Sequence, residues 1–175
     1  KKVIFPISQD HKKIYEGETG PNTGGMGAYS PVPHITQDVL DATVQKIVNP
    51  TMAGLAKEDL EFAGIIYIGC MLTKQGPKVI EYNLRLGDPE TQVLLPQLKS
   101  DFYQMTSDLI DHQMPKIEWQ EGEFYLGVVV SAPGYPTSPK QHIALPDDLP
   151  RNIFYAGVTE EDGKLYSSGG RIFTS

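Results

Sequence analysis

Two apolar runs with a turn between them constrain this chain more than any other feature. Gly64-Ile65-Ile66-Tyr67-Ile68-Gly69-Cys70-Met71-Leu72-Thr73 is too apolar to be exposed on both faces. Lys78-Val79-Ile80-Glu81-Tyr82-Asn83 follows after the turn Lys74-Gln75-Gly76-Pro77. Two such runs joined by turn residues predict an antiparallel hairpin. Helical patterns flank it. From Thr36, which suits an N-cap, Val39, Leu40, Val44, Ile47 and Val48 recur at helical spacing. Pro50 must break or kink that helix, because it cannot donate to the carbonyl four residues back; residues 52–60 continue it or start a second. Asp88-Pro89-Glu90 reads as a cap followed by proline at the first helical position. Pro96 limits that helix, and Ser100 is expected to cap another that runs to about Gln113.

Elsewhere the pattern is that of strands. Val3 to Ile7 reads as an opening strand, Phe124 to Ser131 as a strongly apolar one, and Ile153 to Thr159 as another, with Pro133-Gly134-Tyr135-Pro136 and Asp162-Gly163 as turns. The predicted class is α+β: residues 1–115 form an antiparallel sheet with flanking helices, and residues 120–175 form a small β-rich module. Gln113-Met114-Pro115 and Glu121-Gly122-Glu123 make the connector, which places the boundary between about 114 and 123.

At 175 residues the chain can bury roughly 70% of its unfolded surface, enough for a proper core. The net charge of −7 is concentrated in the last third, and no basic stripe exists. Neither nucleic acid nor an anionic membrane is therefore an expected partner, and small ligands are favoured. Cys70 stands alone in an apolar run, so no intrachain disulfide is possible and an inert buried thiol is expected. No stretch approaches the ~18 to 20 apolar residues of a membrane span, and a cytoplasmic location is expected. Without an initiator Met, and ending inside a predicted strand, the sequence reads as a segment of something longer.

The stretch richest in chemistry is Ile80-Glu81-Tyr82-Asn83-Leu84-Arg85-Leu86-Gly87-Asp88-Pro89-Glu90-Thr91-Gln92. On a strand, Glu81, Asn83 and Arg85 share one face within about 14 Å, at ~3.4 Å per residue. A carboxylate and an amide oxygen are hard ligands suited to Mg²⁺, which completes its shell with phosphates and water. Arg85 beyond them could fork onto a phosphate or carboxylate. A solvated sheet face explains the same alternation, but Gly87-Asp88-Pro89-Glu90 adds two carboxylates and a helix start, a place favourable to anions. Asp88 reads equally as a mere cap. Asp10-His11-Lys12 is either a solvated connector or a ligand contact. His34, His112 and His142 lack a second ligand at metal spacing and read as surface residues, and Tyr67 and Tyr82 as core. The glycine-rich segment Gly20 to Pro31 lacks the Gly-Lys-Ser/Thr ending of a P-loop and the spacing of a Rossmann turn.

Glu81-x-Asn83-x-Arg85 followed by Gly87-Asp88-Pro89-Glu90-Thr91-Gln92 resembles the phosphoribosylamine–glycine ligases, also called glycinamide ribonucleotide synthetases, which are ATP-grasp enzymes of purine synthesis. Gln9-Asp10-His11-Lys12, the Gly20 to Pro31 segment, and Pro133-Gly134-Tyr135-Pro136 with Gly169-Gly170-Arg171 agree in register. The resemblance implies the C-terminal half of an ATP-grasp domain followed by the small β-rich module, truncated at its end. It implies Glu81 and Asn83 as ligands of Mg²⁺ or Mn²⁺, and Arg85 as the catalytic residue that stabilises a transferring phosphoryl or acyl phosphate. Asp10, Lys12, Asn22, Thr23, Gly24, Gly25 and Asp88 would lie on the substrate side, with backbone N–H groups of the glycine loop closing on an anion. The substrates it implies are ATP, glycine and 5-phosphoribosylamine, joined through glycyl phosphate. The parent is expected to be a monomer, and the piece in hand to be inactive alone and prone to self-association through exposed apolar surface.

Overall fold

The computed structural model describes residues 2–175 and divides them into two compact units. The first contains residues 2–4, Val32–Gly87 and Leu98–Gln120; the second contains Phe5–Pro31, Asp88–Gln97 and Glu121–Ser175. The chain passes between them at residues 4–5, 31–32, 87–88, 97–98 and 120–121, because segments distant in sequence are recruited into one sheet.

In the second unit, β1 (Gln9–Asp10), β4 (Gly27–Ser30), β7 (Tyr125–Ser131), β11 (Arg171–Thr174) and β8 (Phe154–Tyr155) form a five-stranded sheet in that order, every neighbouring pair antiparallel. β4 thus lies between β1 and β7, which is why residues 5–31 belong with the C-terminal segment rather than with residues 32–87. Helix α3 (Glu90–Leu94) packs on β4 and β7 and brings the 88–97 segment with it. Ala28, Val93, Leu94, Val129, Ala132 and Ile172 are buried and make this unit's core. Two hairpins complete it. β2 (Lys13–Tyr15) pairs with β3 (Thr19–Asn22), and β9 (Val158–Glu161) pairs with β10 (Lys164–Ser167) around Asp162-Gly163, both at positive φ as the tight hairpin turn requires. The expected strand at Val3 to Ile7 does not form: Pro6 has no N–H to give a ladder, and the Ile7 carbonyl accepts a bond from the Ser30 hydroxyl.

In the first unit the expected hairpin is present as β5 (Tyr67–Thr73) against β6 (Gly76–Asn83), with an irregularity between Gly69 and Cys70. It forms a sheet of two strands only, so the apolar residues that alternation assigned to a covered face are open: Ile80 is 52% exposed, Tyr82 49% and Leu84 70%. Tyr82 is therefore not a core residue; its hydroxyl pairs with Thr51 Oγ1 at 2.9 Å. Cys70 is half-buried, and desolvation pushes its thiol up, as expected of an unreactive cysteine.

The helix predicted from Thr36 starts there, although the Thr36 side chain makes no capping bond. Pro50 does not break it. α1 (Gln37–Thr43) passes into a π-helical turn, Val44–Val48, and then into α2 (Asn49–Lys57), where Pro50 sits in the first turn. The Asn49 N–H reaches five residues back to the Val44 carbonyl. The widened turn accommodates a ring that would clash in a regular helix.

Two expected caps are reassigned. Pro89, not Asp88, occupies the N-cap of α3, after a cis Asp88–Pro89 bond, which leaves the Asp88 carboxylate for other partners. α4 (Phe102–Ile110) is capped by Asp101, which accepts from the Gln104 N–H at 2.8 Å, while Ser100 Oγ accepts from the Glu118 N–H. Among the described residues no helix is long and apolar enough to cross a membrane.

Candidate functional site

The residues singled out from the sequence fall into two groups, one in each unit. In the first unit, β6 carries Glu81 and Asn83 on one face, both half-buried, alternating with the exposed Ile80 and Tyr82. Polar side chains thus occupy the better-covered face, the reverse of an ordinary amphipathic strand. Glu81 stands opposite Gly69 in the ladder, and its methylene lies 3.0 Å from where a β-carbon at 69 would be. The missing side chain at 69 is what leaves Glu81 room. Arg85 lies past the end of β6; its Nη1 donates to the Leu86 carbonyl at 2.8 Å and its Nη2 approaches Asn83 Oδ1 at 3.4 Å. Glu81 and Asn83 thus share a strand face, while Arg85 lies beyond the strand with its guanidinium near the Asn83 amide. Among the described residues no three His, Cys, Asp or Glu side chains are grouped to hold a metal. Two hard oxygens, from Glu81 and Asn83, fit a Mg²⁺ or Mn²⁺ ion that takes the rest of its shell from phosphates and water.

The second group is assembled by the sheet of the second unit. Of Gly20 to Pro31, most is not an open loop: residues 20–22 belong to β3 and residues 27–30 to β4, and only Thr23 to Met26 form the turn between them. Every N–H in that turn is taken. Thr23 donates to the Lys12 carbonyl at 2.7 Å, Gly24 to Tyr135 Oη at 2.9 Å, Gly25 to Thr23 Oγ1 at 3.0 Å and Met26 to the His11 carbonyl at 2.7 Å. The expected cradle of free N–H groups is therefore absent, because the turn spends its donors on its own neighbours.

Gly25 has φ +118, and a β-carbon there would lie 2.5 Å from Pro89 Cδ and 2.8 Å from Asp10 Oδ1. Close approach, more than anion capture, accounts for this glycine. Asp10 has a 7% exposed side chain and ion-pairs with Lys12, Nζ to Oδ2 at 2.9 Å. Asn22, paired with Lys13 at the end of β3, is exposed. Asp88 receives Gln92 Nε2 on Oδ1 at 3.0 Å and Arg171 on Oδ2 at 3.2 Å. So Asp10, Lys12, Thr23, Gly24, Gly25 and Asp88 are gathered around one turn, with Asn22 at its start.

The family description "Phosphoribosylglycinamide synthetase, ATP-grasp (A) domain" matches residues 1–91, over half of the chain. The chain belongs to this phosphoribosylglycinamide synthetase family. A phosphoribosylamine–glycine ligase of Lactococcus lactis is 50% identical over 172 residues, covering 97% of this chain and 42% of its own length. One from Streptococcus pneumoniae is 48% identical over 177 residues, covering 99% and 42%. A crystal structure of the phosphoribosylamine–glycine ligase of Thermotoga maritima superposes with a TM-score of 0.83 at 36% identity, covering 98% of this chain and 43% of that one. The chain thus spans about two fifths of the length of these synthetase-family relatives, and its mixed α/β fold with antiparallel sheets is theirs.

Two residues of the second group were not singled out as site residues from the sequence: Tyr135, which accepts from Gly24, and Arg171, which reaches Gly24, Gly25 and Asp88. Both lie within motifs that carry the family resemblance, Pro133-Gly134-Tyr135-Pro136 and Gly169-Gly170-Arg171, and those motifs were the available signal. His34, His112 and His142 are exposed as expected; His142 stacks on Tyr166 at 4.3 Å.

Proposed function

We propose that the full-length protein containing this chain is an ATP-dependent ligase that joins glycine to 5-phosphoribosylamine, giving glycinamide ribonucleotide, ADP and phosphate in purine synthesis. The single observation that carries the reading is 50% identity to a phosphoribosylamine–glycine ligase over 97% of the chain. In this reading the glycine carboxylate attacks the γ-phosphate of ATP, and the amine of 5-phosphoribosylamine displaces phosphate from the resulting glycyl phosphate. Glu81 and Asn83 would hold Mg²⁺ or Mn²⁺, which when bound supplies charge neutralisation at the nucleotide phosphates. Arg85, with its guanidinium at an exposed strand end, would stabilise the transferring group by charge-assisted bonds. Asp10, Lys12, Asn22 and Asp88 would orient substrate beside the Thr23–Gly25 turn, through side chains rather than the turn's N–H groups. No protein nucleophile is needed, since positioning and charge neutralisation carry such transfers. A cytoplasmic location belongs to the same reading.

The test is ADP release by the full-length protein. We expect it to require both glycine and 5-phosphoribosylamine, with glycinamide ribonucleotide as product. Equal release with other acid and amine pairs would instead favour a different ATP-grasp carboxylate–amine ligase.

For association, we propose that the full-length protein is a monomer and that the isolated 175-residue chain self-associates through the open hairpin face, where Met71, Ile80, Tyr82 and Leu84 are all exposed. Sedimentation velocity on the isolated chain should show a coefficient that rises with concentration. A monomeric profile throughout would overturn this.

A further inference from the structure

Arg171 begins β11 and ties together three segments of the second unit that are far apart in sequence. Its Nη1 donates to the carbonyls of Asp88 at 2.9 Å and Gly24 at 3.1 Å, with a longer approach to Gly25 at 3.5 Å; its Nη2 meets Asp88 Oδ2 at 3.2 Å. The side chain is only 22% exposed, so these charge-assisted bonds are partly shielded from water. Tyr135 supports the same turn from the Gly24 N–H. Its ring lies against Gly170, where a β-carbon would come within 2.3 Å of Cδ2, so the residue before Arg171 seats the tyrosine. Carbonyls and N–H groups of the turn are thus held by two side chains from opposite ends of the β-rich segment.

We infer that Arg171 is a positioning residue for the substrate-side turn Thr23–Met26, a role that rests on the proposed ligase reading. Both of its terminal nitrogens donate to protein oxygens, so it acts through the turn. The planar fork is essential to this. A guanidinium sends bonds in fixed directions to two carbonyls and a carboxylate at once, whereas a lysine ammonium is a point charge on a flexible stem. Arg171→Lys keeps the charge and loses the bracket.

The experiment compares the full-length wild type, Arg171→Lys and Tyr135→Phe. Hydrogen–deuterium exchange is followed in peptides covering residues 19–26, with residues 67–73 of the other unit as an internal control. Steady-state KM is measured separately for ATP, glycine and 5-phosphoribosylamine. In Arg171→Lys, exchange across 19–26 should accelerate by about tenfold while 67–73 stays unchanged. KM for glycine or 5-phosphoribosylamine should rise by about tenfold, with KM for ATP within about twofold of wild type. Tyr135→Phe, which removes only the acceptor for Gly24, should shift both readouts the same way by less. Unchanged exchange in Arg171→Lys overturns the inference, whatever the enzyme makes. Faster exchange with every KM unchanged also overturns it, since Arg171 would then be structural only. A wild type that forms no glycinamide ribonucleotide counts against the proposed function instead, and the exchange measurement still decides whether Arg171 brackets the turn.

Discussion

Replacing Glu81 by glutamine in the full-length protein is expected to lower ligase activity by about 100-fold or more, equivalent to about 2.7 kcal/mol of transition-state stabilisation. The substitution keeps the shape of the side chain and one oxygen in place, and removes the negative charge. In the proposed donor set, Glu81 supplies the charge and Asn83 a neutral oxygen, so the divalent ion should bind more weakly. Raising Mg²⁺ should then recover part of the rate by mass action, and the Mg²⁺ concentration giving half-maximal rate should move upward relative to wild type. Asn83→Ala should behave similarly but more mildly, since it removes a neutral ligand. Glu81 is half-buried on a two-stranded hairpin opposite a glycine, so an isosteric amide has room there. The circular dichroism spectrum should not change. A Glu81→Gln protein whose Mg²⁺ titration overlays that of wild type would remove Glu81 from the metal site.

The parts of the structure that could be anticipated were those set by neighbours in sequence. The β5–β6 hairpin follows from alternation and turn residues within twenty positions, and the shared face of Glu81 and Asn83 follows from the period of a strand, whereas Arg85 lies past the end of that strand. What escaped was decided by distant partners. Nothing local marks Gly27-Ala28-Tyr29-Ser30 as a strand; it becomes one because β1 and β7 flank it, and Ala28 is fully buried as a result. Pro50 was expected to break or kink a helix, and it is a π turn ahead of it, not legible in the sequence, that lets the chain continue. The glycine turn resembled an anion cradle because glycines are compatible with one, but its donors are used by Lys12, Thr23, His11 and Tyr135, the last 111 residues away. Arg171 lies 147 residues from Gly24, a separation that no periodicity argument spans.

The largest effect on stability is expected at Gly25. Its φ of +118 lies where L side chains rarely settle, and that alone costs of order 1–3 kcal/mol for a residue with a β-carbon. Alanine would also place that carbon 2.5 Å from Pro89 Cδ, 2.8 Å from Asp10 Oδ1 and 3.3 Å from the Asp88 carbonyl. None of the three yields easily: Pro89 is a fully buried ring, Asp10 is a buried carboxylate beside Lys12, and the Asp88 carbonyl is held by Arg171. Overpacking of this kind adds roughly 1–3 kcal/mol, so Gly25→Ala should destabilise the second unit by roughly 2 to 6 kcal/mol. Gly17→Ala separates the two contributions. Gly17 has φ +67 with nothing within 4 Å of the added carbon, so it should cost only the left-handed backbone preference, about 1 kcal/mol. Urea denaturation of both variants measures the difference as a shift in midpoint at constant slope. If Gly25→Ala unfolds at the same urea concentration as Gly17→Ala, the turn is not clamped against Asp10 and Pro89, and the gathering of Asp10, Lys12 and Asp88 around it loses its physical basis.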